Sequence, residues 1–165
     1  MGVILGIDPG LANTGYGIIR AARGKVSYLS HGVIETASGL SLGIRLNLIY
    51  DAVSQLIDEY KPEIAGMEDL YFAKNRSSAI PVAQAKGIML LALYRKGVAT
   101  FEYSPPAIKL AMTGSGRATK DQVQEMVRIM LGLKEVPGPD HASDALSAAI
   151  CCYHNYSASV RGVKI

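Results

Sequence analysis

The sequence predicts an α/β domain: a mixed five-stranded sheet with helices on both faces. Three observations predict it. Short apolar runs alternate with longer stretches whose apolar residues recur at helical spacing. The order along the chain is three strands, helix, strand, helix, strand, then helices. Two of the runs, Val3 to Ile7 and Glu63 to Glu68, are mostly apolar, as suits strands covered on both faces, and each delivers a carboxylate at its carboxyl end.

In order, Val3 to Ile7 reads as a buried strand that stops at Asp8, where Pro9-Gly10 turns the chain. Thr14 to Arg20 is a second strand, and Ala22-Arg23-Gly24-Lys25 reverses tightly into a third, Val26 to Thr36, giving an antiparallel meander. A helix begins at Gly39 to Ser41, with Leu42, Leu46, Ile49, Val53, Leu56 and Ile57 on its apolar side. It stops near Tyr60, because Pro62 disfavours helical geometry in the residue before it. Glu63 to Glu68 is the fourth strand. Ser77 to Lys96 is a long helix with small residues at Ala79, Ala83, Ala85 and Gly87, and Val98 to Tyr103 is the fifth strand. Pro105 to Met112 makes a short helix; Thr119 opens another, with Asp121 in its first turn and Gly132 near its end. After Pro137-Gly138-Pro139 comes a last helix, Asp140 to about Tyr156. With no internal repeat, residues 1–156 form a single domain, and 157–165 are expected to be a flexible basic tail.

Composition limits the function classes. At 165 residues and 49% hydrophobic, the chain can bury a full core. Lys+Arg 17 against Asp+Glu 14 leaves a net charge of +3, too mild to indicate nucleic-acid binding by itself. Cys151 and Cys152 are adjacent, which suits neither a disulfide framework nor a zinc site, so they are expected to pack as thiols in a reducing compartment. No apolar run approaches the ~20 residues that span a bilayer, and no signal peptide opens the sequence. A cytoplasmic protein, with no membrane partner, is expected.

The chemistry lies in the acids. If the first and fourth strands are parallel neighbours, Asp8 and Glu68 sit side by side at one sheet edge, where their charges repel unless a cation lies between them. Asp69 falls on the opposite face, as a turn residue. On the last helix His141 and Asp144 are at i and i+3, and Asp140 and Asp144 at i and i+4, so either pair shares a face. Asp140 also stands where a helix N-cap would. Three or four such ligands suit a pair of hard divalent cations, which can drive phosphodiester hydrolysis.

Several segments go further together: Leu5-Gly6-Ile7-Asp8-Pro9-Gly10 with Thr14-Gly15-Tyr16-Gly17; Glu68 followed by Tyr71 and Ala73-Lys74-Asn75; Phe101-Glu102-Tyr103; Lys109; Lys120; Gln122 to Arg128; and His141-Ala142-Ser143-Asp144-Ala145-Leu146. Over nearly its whole length the sequence resembles the RuvC family of bacterial Holliday-junction resolvases, which are RNase H-like nucleases. The resemblance implies the RNase H-like fold and places the family's four catalytic, metal-binding positions on Asp8, Glu68, His141 and Asp144. The third is often aspartate in the family; His141 makes the set one charge less negative. The pair of hard cations that such a ligand set suits is expected to be Mg²⁺, two ions per site, and the imidazole of His141 makes Mn²⁺ able to substitute. Tyr71 would stack on junction bases, with Phe72 beside it and Lys74, Asn75 and Arg76 flanking, while Lys109 and Lys120 match basic positions near the scissile phosphate. Arg117, in the loop Gly114-Ser115-Gly116-Arg117, is a further candidate phosphate contact. The implied function is symmetric cleavage of four-way DNA junctions in recombination and repair by a homodimer, alongside a RuvA and RuvB branch-migration motor. The small-residue face of the long helix is the candidate dimer contact. Two alternatives remain: a junction-binding module without activity, and a phosphotransferase of the actin-like fold, which opens on a similar loop but needs a duplicated domain.

Overall fold

The computed structural model describes the backbone of residues 2–69 and 76–160, and the side chains of these except at 76–78 and 158–160. The elements are β1 (Val3–Asp8), β2 (Asn13–Ala22), β3 (Lys25–Glu35), α1 (Leu42–Tyr60), β4 (Ile64–Glu68), α2 (Arg76–Arg95), β5 (Ala99–Tyr103), α3 (Pro105–Thr113), α4 (Lys120–Leu131) and α5 (Asp140–Val160). They form the mixed five-stranded sheet expected, in the order β3-β2-β1-β4-β5. β1, β2 and β3 are antiparallel, whereas β4 runs parallel to both β1 and β5. The β2–β3 reversal is a two-residue turn with φ of 51° at Arg23 and 80° at Gly24, the left-handed pair that matches strand twist.

Strand alternation sorts the sheet into two faces. Leu5, Ile7 and Ile18 pack on one face against Ile49, Val53 and Ile57 of α1 and Ala85, Met89, Ala92 and Leu93 of α2. Ile4, Ile19 and Ile64 pack on the other against α3, α4 and α5. By the same alternation Gly6 and Asp8 of β1, and Gly66 and Glu68 of β4, belong to the second face. That face carries a row of glycines across three strands, Gly6 pairing with both Gly17 and Gly66. The backbone of α5 lies directly on this row. A Cβ at Gly6 would stand 1.9 Å from the Ala145 carbonyl oxygen, one at Gly15 1.9 Å from that of His141, and one at Gly66 2.5 Å from that of Ala148. Only a missing side chain admits the helix so closely, and its approach fixes the residues on its first turns.

Three expectations are corrected. α5 continues to Val160, past the end expected near Tyr156. Of the small residues of α2, Ala85 leaves the expected face: it is buried against the sheet, whereas Ala83 and Gly87, one turn apart, are exposed. Residues two apart on a helix point about 200° apart, so Ala85 could not join its neighbours. Asp140 is the first residue of α5 and not its cap, because the Pro139 carbonyl accepts from the amides of Ala142 and Ser143.

Candidate active site at the carboxyl ends of β1 and β4

β1 and β4 end side by side, Ile7 pairing with Met67, and so deliver Asp8 and Glu68 to the same edge. Asp8 is 9% exposed. The turn after it is braced: Thr14 Oγ1 donates to the Gly10 carbonyl at 2.6 Å, and Thr36 Oγ1 to that of Leu11 at 2.5 Å. Arg45 Nε in turn donates to Thr36 Oγ1 at 2.9 Å. From α5, His141 Nδ1–H donates to Asp8 Oδ2 at 2.7 Å. Asp144, one turn along, accepts from Lys120 Nζ at 3.2 Å. Lys120 opens α4 behind a capping box of Thr119 and Gln122. The structure therefore brings Asp8, Glu68, His141, Asp144 and Lys120 together.

The electrostatics are those of too many acids in too little water. Burial pushes Glu68 up to about 8, helped by the charges of Asp8 and Asp144 and by a hydrogen bond between the Glu68 and Asp8 carboxyls. Burial also raises Asp8, opposed by the hydrogen bond from His141. Among the described residues no three His, Cys, Asp or Glu side chains form a ready coordination cage. The donors are bonded instead to one another and to Lys120. Two buried carboxyls side by side, both raised by burial and with an imidazole and a third acid beside them, are oxygen and nitrogen donors that fit a divalent cation.

Beside them lies a cleft of about 200 Å³ lined by Glu68, Asp144, Lys109, Lys120 and Ser147. Arg117 is elsewhere, in a larger cleft of about 750 Å³ lined by Met112, Asp121, Glu125 and Met126. Tyr71, Phe72, Lys74 and Asn75 lie outside the described residues, as does the side chain of Arg76, the first residue of α2. Cys151 and Cys152 are fully buried, with thiols pushed up to about 12 and about 11, so they pack as neutral thiols.

The comparisons with known proteins agree with this geometry. The family described as "Crossover junction endodeoxyribonuclease RuvC" matches residues 4–152. The chain belongs to the RuvC family. Crossover junction endodeoxyribonuclease RuvC of Treponema denticola is 54% identical over 147 residues, covering 89% of this chain and 83% of that one. RuvC of Rubrobacter xylanophilus is 49% identical over 149 residues, with 90% and 83% covered. The structure of Thermus thermophilus RuvC in complex with a Holliday junction substrate matches with a TM-score of 0.90 at 34% identity, over 99% of this chain and 98% of that one. The RNase H-like fold of that family is the fold of this chain.

One group escaped the sequence reading. Lys86 of α2, 8% exposed, reaches Asp69 at 2.6 Å and also pairs with Glu102 of β5. Asp69 is thus more than a turn residue: through Lys86 it ties the chain just past Glu68 to both α2 and β5. The available signal was a lysine among residues that pack on the sheet.

Proposed function

We propose that this RuvC-family chain is a structure-selective endonuclease that resolves four-way DNA junctions in recombination and repair. Asp8, Glu68, His141 and Asp144 would be its catalytic, metal-holding set. The observation that carries this reading is the convergence of four donors at one place: Asp8 and Glu68 at the paired ends of β1 and β4, with His141 of α5 bonded to Asp8 and Asp144 one turn along the same helix. A pair of divalent ions, Mg²⁺ with Mn²⁺ able to substitute, would supply the activated water and the charge that stabilises the leaving oxygen.

The chain's own residues do the rest. Asp8 is fixed at the sheet centre by its braced turn. His141 donates an Nδ1–H hydrogen bond to Asp8, and in that tautomer its Nε2 lone pair is the one that would face a cation. Lys109 and Lys120 on the cleft wall draw the phosphate backbone toward Glu68 and Asp144. Arg117 and the segment of Tyr71, Phe72, Lys74, Asn75 and Arg76 extend the DNA surface. A homodimer cuts the two strands symmetrically. Its contact face on α2 is the exposed stripe of Ile80, Leu91 and Tyr94, with Ile44 and Leu48 exposed on α1. Engagement by a RuvA and RuvB motor and a cytoplasmic location follow from the resemblance; no helix of the described residues is long and apolar enough to cross a membrane.

The test is a synthetic four-way junction incubated with the protein and Mg²⁺ or Mn²⁺. The parent chain should make paired symmetric cuts, and Asp8→Asn should bind the junction without cutting it. A parent that binds and leaves the junction intact in both metals would be the inactive module.

A further inference from the structure

Asp140 is the acid of the cluster that the roles above leave unused. Both of its carboxylate oxygens are occupied: Oδ2 by Lys120 Nζ at 3.1 Å, and Oδ1 by Gln124 Nε2 at 3.1 Å. Gln124 is one turn beyond Lys120 on α4, so the three residues close a ring between the first turn of α4 and the first residue of α5. Lys120 has a second anchor in Asp144 at 3.2 Å. A lysine is a compact charge on a flexible four-carbon stem, and capping fixes only its backbone. Were Asp144 to hold a cation, Lys120 would lose one of its two anchors.

We infer that Asp140 is a positioning residue: held by Gln124, it keeps the Lys120 ammonium over the cleft once Asp144 is occupied. The inference rests on the nuclease reading above. It assigns Asp140 to the lysine and not to the metal, and so separates it from His141 and Asp144 on the same helix. The side chains of Asp140 and Lys120 are 69% and 48% exposed. Pairs so exposed contribute little to stability, so removing Asp140 should not unfold the chain.

The experiment is a double-mutant cycle on single-turnover junction cleavage, joined to a Mn²⁺ titration of the DNA-free protein followed by electron paramagnetic resonance. Asp140→Ala should slow cleavage by about three- to tenfold, and that loss should vanish in a Lys120→Met background. Gln124→Ala should act in the same direction and less strongly. Mn²⁺ affinity should stay within about twofold of the parent in Asp140→Ala, whereas Asp144→Ala should weaken it by about tenfold or more. Unchanged cleavage by Asp140→Ala overturns the inference. So does an undiminished loss in the Lys120→Met background, or a Mn²⁺ defect like that of Asp144→Ala. A parent chain that does not cut sinks the nuclease reading itself; a parent that cuts, with additive losses, sinks only the role of Asp140.

Discussion

Gly6→Ala adds a single uncharged methyl two residues before Asp8, and it is expected to silence the site. A Cβ at Gly6 would stand 1.9 Å from the Ala145 carbonyl oxygen and 2.8 Å from the Ala149 amide nitrogen. Both are helix backbone, which cannot swing aside as a side chain can. Carbon–oxygen contacts shorter than about 3.0 Å are not tolerated, so α5 must lift by about 1.1 Å at Ala145. His141 is one helical turn before Ala145 and moves with it. Its 2.7 Å bond to Asp8 would stretch to about 3.8 Å, beyond hydrogen-bond reach. Overpacking of this kind costs about 1–3 kcal/mol. In a chain of this length that lowers the melting temperature by roughly 2–12 °C, which leaves a folded protein at assay temperature. Displacing catalytic groups by about 1 Å costs on the order of 100-fold in rate. The assay is junction cleavage beside a thermal melt, with Gly43→Ala as control because a Cβ there meets nothing within 4 Å. Cleavage by Gly6→Ala within threefold of the parent, with an unchanged melt, would refute the idea that the glycine row seats the catalytic helix.

The raised carboxyls make stability depend on pH. Glu68 is pushed from 4.5 to about 8 and Asp8 is also raised, so the folded chain holds more protons than the unfolded one between those limits. Metal-free stability is then fully present near pH 4.5 and is lost as pH rises to about 8. Each pKa unit is worth about 1.4 kcal/mol, or roughly 3–6 °C of melting temperature. Melting curves from pH 5 to 8.5, with and without Mg²⁺, check this: the fall should appear without metal, and metal should stabilise most at the alkaline end. At His141 the donor type should set metal preference, because imidazole suits later transition ions while Mg²⁺ prefers oxygen. His141→Ala should lose about 10- to 100-fold in cleavage and still bind junctions. His141→Asp should cut in Mg²⁺, with a lower ratio of Mn²⁺ to Mg²⁺ rates than the parent; equal rates for His141→Ala and parent would remove the imidazole from the site.

The edge that carries Asp8 and Glu68 was legible because its signals are local. Each acid ends a buried run, and the order of elements makes the two strands parallel neighbours. What stayed hidden depends on which backbone comes close to which. Gly6, Gly15 and Gly17 read along the chain as punctuation, yet they and Gly66 are the bed of a helix more than 70 residues downstream of the last of them. Lys86 pairs with acids 17 and 16 residues away across a helix and two strands, which no i,i+4 pattern anticipates. Asp140 looked like a cap because it follows a proline. Its side chain is instead drawn to α4, by partners the sequence does not set beside it.

The seating of α5 also has a consequence in time. Asp8 and Glu68 leave the ribosome long before His141 and Asp144, and α5 supplies Leu146, Ala148, Ala149, Ile150, Cys151 and Cys152 to the core on its side of the sheet. A nascent chain complete only through α4 has a bare glycine face and half a site. At about 5–20 residues per second, the interval between Glu68 and Asp144 is roughly 4–15 s. Throughout it the chain holds two of the four proposed ligands. The proposed set is completed in a single event, the docking of one helix, which also closes the core.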